Sequence, residues 1–127
     1  MAKFNAQIKS YEDAMQFLGG RDQRKLAHNT WVIAGPFGEI QVVYHRTAIA
    51  TFRKDGTSEF TNGGHQTATT KQRLNELLPV GFGIYQKDFE WVLHRVERGP
   101  HGFSEMPCPT TLRLDSDSNV LVETVRS

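Results

Sequence analysis

The stretch EIQVVYHRTAIATFRKDGTSEF, residues 39–60, decides the fold class. Successive side chains of an extended strand point to opposite faces, so apolar residues at every second position mark a half-buried strand. Ile40, Val42 and Tyr44 keep that spacing on one face, and TAIATF, 47–52, continues it. RKDGTSEF, 53–60, then reads as a hairpin. Asp55-Gly56 is the dipeptide a type I′ turn favours, with positive φ expected at both central residues. Upstream, Trp31 and Ile33 predict a strand and GPFG, 35–38, a turn. Downstream, Asn62-Gly63-Gly64 is another turn, leading into HQTATT, 65–70, an alternating Thr-rich strand.

Two helices flank this block. Ser10 is an N-cap with Asp13 in the first turn; Tyr11, Ala14, Met15 and Leu18 form one apolar stripe, and Gly19-Gly20 supplies the stop. So short a helix depends on tertiary packing. The basic run RDQRK, 21–25, reads as a solvated connector or a helix extension. After the Thr-rich strand, Thr69 with Gln72 satisfies the capping-box rule, and Thr70 is an equally good N-cap. Leu74, Leu77 and Leu78 are that helix's buried stripe, ended by Pro79. FGIYQKDFEWVLHRV, 82–96, is a further hairpin turning near Lys87-Asp88, with Ile84, Trp91 and Leu93 in the core. ERGPHGFSEMPCPT, 97–110, is a loop or arm, and TLRLDSDSNVLVETV, 111–125, a polar-tipped hairpin. The expected fold is α+β: an antiparallel sheet of hairpins with a short N-terminal helix and one helix packed after the Thr-rich strand. The expected organisation is one domain over 1–127, with a core at about 10–97 and 98–127 as a Pro/Gly-containing arm plus the C-terminal hairpin.

Composition excludes several classes. Fifteen Lys and Arg against fourteen Asp and Glu leave a net charge of +1, which argues against a surface wholly given to duplex DNA. Cys108 is the only cysteine, so no internal disulfide, Cys-based zinc site or CxxC redox motif exists, and a reducing compartment is expected. The opening MAKFNAQIKSYEDAM has no apolar h-region, and no apolar run approaches the ~18 residues of a membrane helix. Neither a secreted precursor nor a membrane protein is expected.

The richest chemistry lies in GGHQTATTKQRLNELLP, 63–79. The first N–H groups of a helix point outward unpaired, and the macrodipole puts roughly half a positive charge there. Small residues let an anion approach that end. Thr67, Thr69 and Thr70 add hydroxyls; Lys71 and Arg73 add charge. The same threonines also read as strand formers plus a cap, with Lys71 and Arg73 as exposed helix residues. No Walker spacing is present. His28, His45 and His65 recur in HNT, HRT and HQT; if they converge, they could ligate a metal or serve as acid and base in phosphodiester chemistry. No carboxylate accompanies them in a ligand pattern, and hydrogen-bonded strand histidines are the competing reading. DSDSN, 115–119, lacks the later glycine and glutamate of a calcium loop, having Val120 and Arg126 instead, so it is a turn. Cys108, between two prolines, has no basic partner nearby in sequence, and no GxSxG elbow occurs. Phe52, Phe60, Tyr85 and Phe89 interleave with Arg53, Lys54 and Lys87, either as a stacking surface for single strands or as sheet core.

FLGGRDQRKLAHNTWV (17–32), VVYHRTAIATFRKDGTSEF (42–60) and GGHQTATTKQRLNELLP (63–79) together resemble a family of small uncharacterised proteins of bacteriophage and plasmid genomes. Its form is Leu-Gly-Gly-Arg, an Asn-Asn-Thr or His-Asn-Thr turn, a strand ending in His-x-Thr, an Asp-Gly hairpin, and Gly-Gly-Trp-x-Thr-x-Thr-Thr-Lys-x-Arg-Ile-Asn. The resemblance covers residues 17–92, ending on the Gln86–Trp91 hairpin. His65 stands where the family has Trp, so it is not a family catalytic residue, and Leu74 stands where the family has Ile. Residues 98–127 are an extension particular to this protein or its subgroup. The resemblance implies a viral accessory role. If Asn29, Thr30, His45, Thr47, Thr67, Thr69, Thr70, Lys71, Arg73 and Asn75 belong to the family's pattern, the resemblance also implies that this polar cluster is functional rather than decoration.

The expected function is that of a non-enzymatic phage or mobile-element accessory protein in the host cytoplasm. It would bind a phosphate-bearing ligand, a nucleotide or single-stranded nucleic acid, without cofactor, metal or membrane. Threonine hydroxyls and the helix N-terminus would hold phosphate, Lys71 and Arg73 neutralise it, His45 and Asn29 orient it, and Arg21, Arg24 and Lys25 extend a basic track. One alternative is an interaction module gripping a host enzyme or virion component through the arm at 98–109, with the polar cluster as an internal network. Another is a metal-independent phosphodiesterase using His28 and His45.

Overall fold

The computed structural model describes residues 8–96, 103–117 and 120–124, with the backbone alone at 103 and 120–124. Helix α1 spans Tyr11–Leu18. Ser10 is extended and its Oγ accepts from the Asp13 N–H at 3.1 Å, while Gly19, at φ 58°, closes the other end. Ala14 and Leu18 are buried, whereas Met15 turns out to solvent, so the apolar stripe is narrower than its spacing predicted.

Strands β1 (Gln23–Ala27), β2 (Thr30–Ala34), β3 (Ile40–Tyr44), β4 (Thr47–Phe52) and β5 (Ser58–Thr61) follow, then α2 (Ala68–Leu77). β6 (Phe82–Lys87), β7 (Glu90–Val96), β8 (Phe103–Pro107), β9 (Thr111–Leu114) and β10 (Val120–Thr124) complete the described elements. They form a seven-stranded sheet, β1-β2-β3-β4-β5-β9-β10, and a three-stranded sheet, β6-β7-β8. Every pairing is antiparallel, so the fold is the α+β class expected.

Alternation builds the core in cross-strand rows. Val32, Val42, Ala50, Phe60 and Leu112 face one another across five strands, and Ile40, Phe52, Ser58 and Leu114 form the next row. All are buried. The Phe52 and Phe60 rings meet edge to face at 5.9 Å, a favoured aromatic geometry.

Several local expectations change. RDQRK is no connector: Gln23–Ala27 is an edge strand whose Gln23, Arg24 and Lys25 side chains stay exposed, leaving no apolar alternation to read. On β2 the buried face is Thr30 and Val32, and Trp31 is 38% exposed. The segment 65–70 is not a strand; α2 begins at Ala68 with Thr67 as N-cap, its Oγ1 accepting from the Thr70 N–H at 3.2 Å. This cap, rather than Thr69 or Thr70, places Thr70, Arg73, Leu74 and Leu77 on one buried face at i, i+3, i+4 and i+7.

The Asp55-Gly56 hairpin is not type I′. Only Gly56 takes positive φ, 93°, and the Gly56 N–H bonds the Arg53 carbonyl at 3.0 Å. Asp55 instead accepts from the Thr57 N–H at 2.9 Å and from its hydroxyl at 2.6 Å. The hydroxyl bond first and the N–H bond next hold the Asp55 carboxyl below its usual pKa. Two consecutive positive φ values occur instead at Asp88 (52°) and Phe89 (67°), the β6–β7 turn.

The segment read as an arm contributes β8, which pairs with β7. The C-terminal hairpin docks β9 beside β5, completing the large sheet. Residues 97–102 of that arm lie outside the described residues. Helix α2 is tied to the small sheet through Asn75, whose Nδ2 donates to the Ile84 carbonyl at 2.9 Å and whose Oδ1 accepts from the Ile84 N–H at 2.7 Å. At the far end of α2, Lys9 Nζ donates to the carbonyls of Glu76 (3.0 Å) and Leu78 (2.9 Å), cationic capping of a helix C-terminus.

Candidate functional site

An open cleft of about 610 Å³ lies where one end of β2–β5 meets the N-terminus of α2. Its walls come from three chain segments. The first is the β1–β2 turn and the start of β2, contributing Asn29 and Trp31; the second is the β3–β4 hairpin, contributing Tyr44, His45, Arg46, Thr47 and Ile49. The third, β5 to α2, adds Asn62, His65, Thr67 and Thr70.

Local geometry explains the assembly. Asn29 (φ 54°) and His45 (φ 56°) both take the left-handed conformation, and the His45 N–H donates to the Asn29 carbonyl at 2.8 Å, locking the two turns together. The β3–β4 register shifts between Val42 and Val43, so Ile49 is a bulge residue under the cleft. The β5–α2 connection crosses close to Thr47. A Cβ on Gly63 would meet Thr47 Cγ2 at 2.7 Å, and its φ of 62° independently favours glycine.

Asn62 anchors that connection. Its Oδ1 accepts from the Gly64 N–H at 2.7 Å, and its backbone N–H bonds the Thr110 carbonyl at 3.1 Å. The first of these bonds fixes the orientation of the amide. Asn62 is 3% exposed, and its Nδ2 has no acceptor in the described structure. A buried donor left unpaired costs about 1–3 kcal/mol. This residue, Trp31, Tyr44 and Arg46 were not singled out from sequence as ligand contacts. In the sequence Asn62-Gly63 reads as an ordinary turn and Trp31 as a strand residue.

The expected cluster divides in two. Asn29, His45, Thr47, Thr67 and Thr70 line the cleft. Thr30, Thr69, Lys71, Arg73 and Asn75 do not. Thr30 and Arg73 lie buried beneath it: Arg73 Nε donates to Thr30 Oγ1 at 3.1 Å and a terminal nitrogen to the His28 carbonyl at 3.4 Å. The guanidinium stands 5.7 Å from the Tyr44 ring centroid. Burial pushes its pKa down, and the Tyr44 phenol works in the opposite direction. Thr69 and Lys71 are half-buried on α2, and Asn75 has both amide atoms bonded to Ile84. Of the three histidines, His45 and His65 share the cleft and His28 does not line it. Arg21, Arg24 and Lys25 also lie outside it. Arg24 donates to the Phe17 carbonyl at 2.8 Å and stacks 4.5 Å from the Phe17 ring, fastening β1 to α1.

Among the described residues no three His, Cys, Asp or Glu side chains are grouped to hold a metal ion, and no helix is long and apolar enough to cross a membrane. Cys108 is partly buried, and burial pushes its thiol up to about 11. The folded chain therefore keeps that proton where an unfolded thiol, near 9.0, has lost it, so this group's contribution to stability falls as pH rises from about 9 towards 11. Iodoacetamide at about pH 8 is expected to alkylate Cys108 slowly in the native protein and rapidly in denaturant, as read by mass spectrometry.

The class of protein is thus an α+β chain carrying an open, carboxylate-free cleft at a helix N-terminus. The family model for the Kyanoviridae Gp96 protein matches residues 8–111, and the chain belongs to that family of phage proteins. Comparison with curated proteins and with solved structures gives no match.

Proposed function

We propose that this protein is a non-enzymatic phage accessory protein of the host cytoplasm that binds a phosphate-bearing ligand, a nucleotide or single-stranded nucleic acid, in the cleft. The observation that carries the reading is the composition of the lining. It combines Arg46, His45, His65, the Thr67 and Thr70 hydroxyls and a partly exposed indole, with no Asp or Glu. Such a wall offers hydrogen-bond donors and positive charge to an anion and an aromatic face to a base. One further feature supports it: the N-terminus of a ten-residue helix opens there.

The roles differ from those expected of the sequence. Arg46, exposed and without an ion pair among the described residues, is the neutralising cation in place of Lys71 and Arg73. Arg73 acts from below, holding Thr30 and the Tyr44 ring in place. Thr67 and Thr70 share a hydrogen bond of 2.9 Å between their hydroxyls, which leaves one proton to donate outward. His45 and Asn29 form the rim.

Thymidine monophosphate is the probe. Binding is read as quenching of the exposed Trp31, since Trp91 is 6% exposed and insulated from a ligand in the cleft. Saturable quenching is expected, weakening with salt, and Arg46→Ala is expected to reduce affinity about tenfold with an unchanged melting temperature. Quenching that never saturates, or affinity indifferent to Arg46→Ala, overturns the reading.

A further inference from the structure

We infer that the ligand is single-stranded nucleic acid, which leaves the cleft over Trp31 and continues across Lys25 on the outer face of β1–β4. The inference rests on the reading of the cleft as a phosphate site and narrows its ligand from a mononucleotide to a polymer.

The sheet register carries the argument. Lys25 pairs with Trp31, Trp31 with Val43, and Val43 with Ala48, so these four side chains form one cross-strand row on the face opposite the core. Lys25 is exposed, Trp31 is 38% exposed, and Val43 and Ala48 are half-buried. An indole flanked by small aliphatic groups is a flat surface on which a base can stack, and the adjacent ammonium can meet the phosphate that follows. Trp31 belongs both to this row and to the cleft wall, making the two surfaces continuous. The row holds no carboxylate. In the neighbouring outer row, Gln23, Ile33, Gln41, Thr51, Glu59 and Arg113, Glu59 is already paired with Arg113 at 2.8 Å.

Lys25 is exposed and does not line the cleft, so only a ligand that reaches past the cleft can meet its charge. Arg24, on the opposite face, pairs with Val32 and is spent on Phe17. The basic track expected from sequence thereby reduces to one residue in position to use it. A lysine on an edge strand also discourages edge-to-edge pairing, which predicts no dependence on a nucleic-acid ligand.

The test uses the full chain, fluorescein-labelled octathymidylate and octauridylate read by anisotropy, and thymidine monophosphate read by Trp31 quenching, over roughly 50–200 mM salt. Each phosphate contact on a single strand contributes a slope of about −0.7 to log affinity against log salt. Lys25→Gln is expected to make the oligomer slope shallower by about 0.7 and to weaken oligomer binding several-fold, while monophosphate affinity and melting temperature stay unchanged. Tighter binding of either oligomer than of the monophosphate, together with the shallower Lys25→Gln slope, supports the inference, and the two oligomers tell DNA from RNA. If the monophosphate binds while the Lys25→Gln slope equals that of the parent chain, or neither oligomer binds more tightly than the monophosphate, the polymer inference is overturned and the cleft reading stands. Binding of no probe overturns both.

Discussion

Arg73→Ala is expected to lower the melting temperature by roughly 10 °C or more, because the residue supports the cleft from beneath. Arg73 is 8% exposed, and its guanidinium joins α2 to β2 through Thr30 Oγ1 and to the β1–β2 turn through the His28 carbonyl. Truncation leaves the hydroxyl of Thr30, a fully buried residue, without that donor and removes the cation beside Tyr44. Loss of a charged hydrogen-bond donor in a buried network costs about 2–4 kcal/mol, a large share of the stability of a small domain. Arg73→Lys should recover only part of this. A single ammonium cannot reproduce the planar fork that reaches both acceptors while facing a ring. Lys71→Ala, two residues away and half-buried on the same helix, should change stability by no more than about 0.5 kcal/mol. Thermal melts by circular dichroism decide it. A stable Arg73→Ala chain that fails to bind would return Arg73 to the ligand-contacting set.

Asn75→Ala is expected to destabilise the fold by about 2–3 kcal/mol and to loosen the attachment of the small sheet. The two bonds from Asn75 satisfy both backbone groups of Ile84, a residue 7% exposed, in the strand next to α2. Deleting the amide removes two hydrogen bonds and strands a donor and an acceptor, and a stranded group costs more than the net worth of its bond. Asn75→Asp keeps the acceptor for the Ile84 N–H but sets a second acceptor against the Ile84 carbonyl, so it should not rescue. Amide hydrogen exchange at Ile84, together with the near-ultraviolet signal of Trp91, reports this directly. Wild-type exchange at Ile84 in Asn75→Ala would show that packing alone holds α2 on the sheet.

Both residues were read from sequence as parts of a ligand site, through likeness to a family pattern and proximity to a helix N-terminus. Spacing along a helix says which side chains share a face, and Thr70, Arg73, Leu74 and Leu77 do share one. It does not say whether that face meets solvent or a sheet. Here it meets the sheet, so a guanidinium that looked available is buried. The same ambiguity caught β2. Alternation identified a strand, but either of its two faces could have been the core, and pairing with β3 buried Val32 and turned Trp31 towards solvent.

The chain's own pattern determined the elements and their class. Period-two alternation over Ile40–Phe60, glycine and asparagine at the turns, Ser10 and Gly19 at the ends of α1, and the Leu74/Leu77 stripe are local signals, legible because propensity and pattern act within a few residues. Half of the cleft lining was legible too, as the Thr-rich approach to α2 and the paired His-x-Thr turns. What remained for the tertiary structure was which of those groups meet. Asn62 gains its significance from burial against β9 and the cleft, Arg46 from the lock between two turns, and Lys25 from its register opposite Trp31. Each depends on contacts between residues distant in sequence, where burial and register, rather than local preference, set the free energy.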